Sequence, residues 1–229
     1  MNNNSDNNPT YAQALKIYTG RSPLRSVVTS AGIAAAAFGF VVLYVGGLTL
    51  LMGEKHTNVD ILELCLVMLS ASALAAPRTL QTFTRSTPGG KFFRTVKGGF
   101  ETFRKMRAAM LAETLLMIAV YYLLAAGAAA LDLLPLKYGV MSCAAGAVNT
   151  VFAVGLGNIC LCLKKGIVRI TTATLTMMIA AVLSVTITES FSAGSLRTVF
   201  IIMIVTDAVL IPLSHRIMIN DYRKNHWDN

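Results

Sequence analysis

Apolar residues in this chain gather into six long blocks separated by short polar stretches. The blocks cover about residues 27–51, 61–77, 108–131, 138–163, 167–188 and 198–214. About 20 apolar residues in a helix cross a bilayer, so blocks of this length predict six transmembrane helices. Soluble core elements do not need to be so long. Ahead of the first block, Thr10-Tyr11-Ala12-Gln13 has the form of a capping box. Tyr11, Ala14, Leu15 and Tyr18 follow at the spacing of one helix face. Gly20 and Pro23 then stop the helix. A helix this short is marginal alone in water; over residues 10–20 it is expected to lie on the membrane surface.

The expected fold is all-α: a polytopic integral membrane protein with six spans. Residues 1–26 form a tail and interfacial helix, with the Asn-rich stretch 1–9 expected to be disordered. Residues 27–214 form one transmembrane domain, and 215–229 a second tail. The polar start MNNNSDNNPT has no early apolar core and is not read as a cleavable signal peptide. Small residues crowd Ala34–Ala37, Ala125–Ala130 and Ala144–Ala147. They predict close helix packing, as do the threonines Thr171, Thr172, Thr174 and Thr176, which are expected to face other helices.

Composition agrees with the pattern. The chain has 229 residues, 55% hydrophobic and only 14% charged, where a soluble domain carries about 25% charged residues. Net charge is +9. The basic residues flank the apolar blocks and no base-stacking motif accompanies them, so they are read as topology determinants and lipid contacts rather than a nucleic-acid surface. Seventeen of the 20 Lys and Arg lie before block one, between two and three, between four and five (with Arg169 at the start of block five), and after six. The other segments hold Lys55, Lys137 and Arg197. This bias puts both termini in the cytoplasm (N-in, C-in). Cys65, Cys143, Cys160 and Cys162 lie in apolar blocks and are expected to be buried free thiols.

The longest expected cytoplasmic loop is 78–107. Thr87-Pro88-Gly89-Gly90 is followed by an amphipathic stretch. On a helical wheel Phe92, Phe93, Val96, Phe100 and Phe103 share one arc and Lys91, Arg94, Lys97, Arg104 and Lys105 another. Gly98-Gly99 predicts a kink. The stretch reads either as a helix lying on anionic lipid or as a docking element for a cytoplasmic partner.

Within the blocks, Glu63, Glu113, Asn149, Asn158 and Asp207 are candidate substrate-pathway residues, because polar groups in a membrane are costly. For each the plainer reading was also open: interhelical hydrogen bonding for Asn149, Asn158 and Asp207, snorkelling toward Arg107 for Glu113, and reach to outer water for Glu63. Pro212 is expected to kink the last block. His56, His215 and His226 are scattered, so no metal site is expected. No catalytic constellation and no GxxxxGK[ST] motif occurs, so the chain is not read as an enzyme.

The layout resembles the small type-2 ABC exporter permeases. The resemblance lies in the interfacial helix, the six spans with both ends inside, and the run Arg85-Ser86-Thr87-Pro88-Gly89-Gly90-Lys91 between spans two and three. It implies a cell-membrane permease, in a bacterial plasma membrane, acting as a homodimer or heterodimer. Arg85, Pro88, Gly89, Gly90, Lys91, Phe92 and Arg94 would dock a separate ATPase subunit, which would bind the ATP and Mg. This chain itself would hold no cofactor. The cargo would be hydrophobic, lipid-like or peptide. Two other readings stay open: the substrate-binding membrane subunit of a vitamin-uptake transporter, and a non-transporting membrane factor that recruits a cytoplasmic partner.

Overall fold

A computed structural model describes residues 9–20, 22–52, 66–75, 93, 95, 98–131, 133–134, 139–163, 166–190 and 193–224. Seven helices of at least nine residues run through these segments: α1 (Tyr11–Thr19), α2 (Pro23–Met52), α3 (Leu66–Ala75), α4 (Gly99–Ala130), α5 (Val140–Cys160), α6 (Gly166–Ser190) and α7 (Ala193–Lys224). No strand occurs among the described residues. Four of the helices are long and apolar enough to cross a membrane: α2 over Pro23–Gly47, α4, α5, and α7 over Gly194–Lys224. Two shorter apolar helices, α3 and Thr171–Ile187 within α6, coincide with the second and fifth blocks.

The capping box of α1 forms as the sequence predicts. Gln13 N–H donates to Thr10 Oγ1 at 3.3 Å, and Thr10 N–H donates to Gln13 Oε1 at 2.8 Å. Gly20 ends the helix at φ 67° and donates its N–H to Lys16 O at 2.8 Å, the left-handed cap that glycine adopts without a Cβ clash.

α4 departs from expectation. It starts at Gly99 rather than near residue 108, so the second half of the amphipathic stretch is not a separate surface element but the first turns of a span. With 32 residues it is about 48 Å long, well beyond the ~30 Å hydrocarbon core. The kink expected at Gly98-Gly99 is a full break: Gly98 caps α4 at φ 74°. A Cβ on Gly99 would collide with the carbonyl of Phe93, so both glycines are required there. α7, also 32 residues, overshoots in the same way and stays helical through Pro212, the position where a kink is expected.

Helix packing is centred on α4 and α5. α2 and α1 lie against α4, while α6 and α7 lie against α5. α2 buries a narrow stripe, Ser26, Ser30, Ala34, Val41 and Val45, at helical spacing. α7 does the same with Leu196, Asp207, Ser214, Met218 and Tyr222. Their remaining faces expose Phe40, Leu43, Ile201, Ile202, Val205 and Val209, the surface expected toward lipid. Small residues make the inner contacts, as the sequence suggests: Ala34, Ala125, Ala145 and Ala153 are buried. A Cβ on Gly155 would come 2.9 Å from Leu210 Cδ2 of α7, and one on Gly146 would strike Met68 of α3.

Candidate functional site

The overshooting ends of α4 and α7 meet at one end of the bundle and enclose a small aromatic core. Phe103 stacks on Tyr222 with ring centroids 3.8 Å apart and planes 11° apart, and Phe100 lies 6.3 Å from the same ring. Ala14 of α1 and Met106 complete the core, with Phe93 and Ile219 packed around it. Phe103, Tyr222 and Ala14 are buried. Phe93, Phe100 and Phe103 were predicted to share one helix face; Phe93 instead lies before the break at Gly98, yet all three meet at this core. That core is covered by the chain's own α1 and α7, so for these three side chains the reading as a lipid-facing surface is corrected. Lys105 Nζ ties the cap together by donating to Pro9 O at 2.8 Å. Arg104 pairs with Glu101 at 2.7 Å in a half-exposed position.

Immediately beneath this cap lies a buried polar junction. Arg107 Nη2 donates to Asn158 Oδ1 at 3.2 Å and also contacts Met218 Sδ. One guanidinium thus joins α4, α5 and α7. Arg107 sits beside the last turn of α5, where the unsatisfied carbonyls carry partial negative charge, and this favours a cation. Across α4, Ser26 of α2 donates its hydroxyl to Glu113 Oε1. Both residues are buried.

Deeper in the bundle, Asn149 Nδ2 donates to Ala180 O at 2.5 Å and to Ser184 Oγ at 2.6 Å, fastening α5 to α6. The threonines of α6 do less between helices than expected. Thr172 and Thr176 donate to carbonyls one turn back in their own helix, at 2.5 and 2.8 Å, although Cys160 Sγ approaches Thr176 Oγ1 at 3.9 Å. Tyr121 donates to Val67 O at 3.1 Å and shares a hydrogen bond with Ser70. Tyr122 bonds Thr150 Oγ1 at 3.0 Å and Met68 Sδ at 3.3 Å. This tyrosine pair therefore holds α3 against α4 and α5.

Asp207 is 8% exposed on the buried stripe of α7, and its Oδ1 has no hydrogen-bond partner among the described residues. The four described candidate pathway residues are thus dispersed: Glu113 faces α2, Asn149 faces α6, Asn158 faces α4, and Asp207 lies on the α7 stripe. Glu63 lies outside the described residues, as do Arg85, Pro88, Gly89, Gly90, Lys91, Phe92 and Arg94. Among the described residues no group of three or more His, Cys, Asp or Glu side chains is assembled as for a metal. Cys143 is buried, Cys160 and Cys162 are half-buried, and all three are free thiols; Cys65 lies outside the described residues.

An open cleft of about 460 Å³ runs beside the cap between α1, α2 and α4, lined by Tyr11, Ala12, Pro23, Val27, Ala108, Ala109, Ala112, Glu113 and Leu116.

Comparison with protein-family models, with curated proteins and with solved structures found no match to this chain.

The site is therefore read from its own geometry. Sequence reasoning missed Ser26, Ser184 and Tyr222 as partners, and named Arg107 only as a neighbour of Glu113, not as the partner of Asn158. The signal was present for Ser26, which stands four residues before Ser30 and eight before Ala34 on one helix stripe. It was weaker for Arg107, which reads as one more topology-setting cation until α7 folds over it.

Proposed function

We propose that this chain is the membrane subunit of a transporter: a six-span permease with both ends in the cytoplasm, worked by a separate ABC-type ATPase. The observation that carries this reading is the cap. α1, the start of α4 and the end of α7 are packed into one body around Phe103 and Tyr222, and α4 continues from that body without interruption into the membrane. A push on the segment preceding Gly98 would reach α4 and, through Tyr222 and Arg107, α7 and α5. A helix packed along its whole length moves as a unit, which is what a motor-coupled permease needs. The apolar character of the cleft and of the outward helix faces fits a hydrophobic cargo, lipid-like or peptide.

The test is co-purification. Membranes expressing the tagged chain should yield an ATPase subunit. Phe92→Ala with Arg94→Glu should release it and lower ATP hydrolysis by about tenfold, a loss of roughly 1.4 kcal/mol in coupling. Unchanged complex formation and unchanged hydrolysis would sink the proposal.

A second reading, a non-transporting membrane factor, is favoured by one observation. The side chains of Asn149 and Asn158 are both engaged in bonds between helices, as structural polar groups in a bundle are. The same co-purification, returning a partner without ATPase activity, would support it.

A further inference from the structure

The cleft beneath α1 has walls of two kinds. α1, represented by Tyr11 and Ala12, closes it at the capped end of the bundle, while Val27 of α2 and Ala109, Ala112 and Leu116 of α4 carry it into the spanning part. Its volume of about 460 Å³ lies within the roughly 300–1,000 Å³ usual for small-molecule sites. Water there would wet an apolar lining, which is unfavourable. The medium beside the spanning part is hydrocarbon, so an occupant entering from it is lipid-soluble.

The rim is cationic. Lys105 stands three, four and seven residues before Ala108, Ala109 and Ala112, on the same face of α4. Its Nζ is fixed at that edge by the bond to Pro9 O, two residues from Tyr11. An ammonium group has three donors, and this contact uses one of them. Lys16, one turn beyond Ala12, is exposed on α1. Glu113 stands deeper, eight residues past Lys105 and so about 12 Å further along the helix, with Ser26 donating to its Oε1. An anionic group is thus attracted at the rim while the apolar lining takes the chain, which orients an amphiphile with its charge outward and its chain inward.

We propose that this cleft binds one acyl chain of an anionic phospholipid from the leaflet next to α1, with the phosphate held at Lys105 and Lys16. The lipid would seal α1 against α2 and α4. This inference does not rest on the permease reading, and its test uses the isolated full-length chain without any ATPase, so each can fail alone.

The chain is placed in nanodiscs of phosphatidylcholine containing a minor fraction of phosphatidylglycerol with a photoactivatable diazirine on one acyl chain. After illumination, adducts are mapped by peptide mass spectrometry. Labelling should concentrate on 108–116 and Val27. Filling the cleft with Ala109→Trp, or independently with Ala112→Phe, should reduce it by about tenfold, in variants whose helicity and melting temperature match the parent. Lys105→Gln should lower the advantage of the glycerol headgroup over an equally tagged phosphatidylcholine by about fivefold. Equal labelling in the parent and in both filled variants would overturn the proposal. So would equal labelling by the two headgroups, or adducts between two copies of the chain in place of lipid adducts.

Discussion

At the scale of the residue, the bundle depends on a few positions where one atom decides the fit. Gly155 is one of them, because its missing side chain is the space that Leu210 occupies. Gly155→Val is expected to push α7 off α5 and to destabilise the protein by about 1–3 kcal/mol, the usual cost of overpacking a close contact. Adding Leu210→Ala should recover a large part of that loss by returning the volume, and unfolding of the single and double variants in detergent would show whether the coupling exists. Additive losses would mean that the two residues do not touch. Such contacts were only half visible in the chain. That alanines and glycines pack helices was legible, but which glycine meets which leucine depends on the rotation and depth of α5 and α7, and periodicity alone does not set either. Asn149 is similar. Its burial followed from its place in an apolar block, whereas its bonds to Ala180 O and Ser184 Oγ required the register of α6. Such bonds contribute about 0.6 kcal/mol on average in membrane proteins, enough to select a register but not to form the bundle.

At the scale of the element, the lesson lies in helix ends. The apolar blocks gave the middles of α2, α4, α5, α6 and α7 within a few residues, because hydrocarbon leaves the backbone no alternative to satisfying its own hydrogen bonds. They missed the overshoot of α4 and α7, because the turns that leave the membrane are written in mixed charged and aromatic residues that resemble a loop. What orders those turns is tertiary: Phe103 finds Tyr222. Tyr222→Ala removes that partner and should cost about 3–5 kcal/mol, the usual cost of truncating a buried aromatic. The signature is more specific than the magnitude. Hydrogen exchange should quicken together in 216–224, in α1 and in the first two turns of α4, while the amides of α5 keep their protection. If exchange rises in 216–224 alone, the three ends are not one cooperative unit.

At the scale of the whole molecule, the structure places α1, the start of α4 and the end of α7 at one end of the bundle, which the charge bias had assigned to a common side. The distribution of Lys and Arg leads to the expectation that this side is cytoplasmic. In a cysteine-free background, cysteines introduced at Ile17, which is 57% exposed, and at Arg223 should react with a membrane-impermeant maleimide only after permeabilisation. A cysteine at Lys55 should react in intact cells. Reaction at position 17 from outside would invert the topology and remove the basis for any cytoplasmic motor.

α3 carries a further consequence for how the protein is made. Of the ten residues of α3, five are buried, Val67, Met68, Ala71, Ser72 and Ala75. Tyr121 of α4 donates to its Val67 carbonyl, and Tyr122 reaches its Met68 sulfur. Both hydroxyls belong to a helix that the ribosome produces only later. These two contacts with α3 therefore form only after α4 has been synthesised.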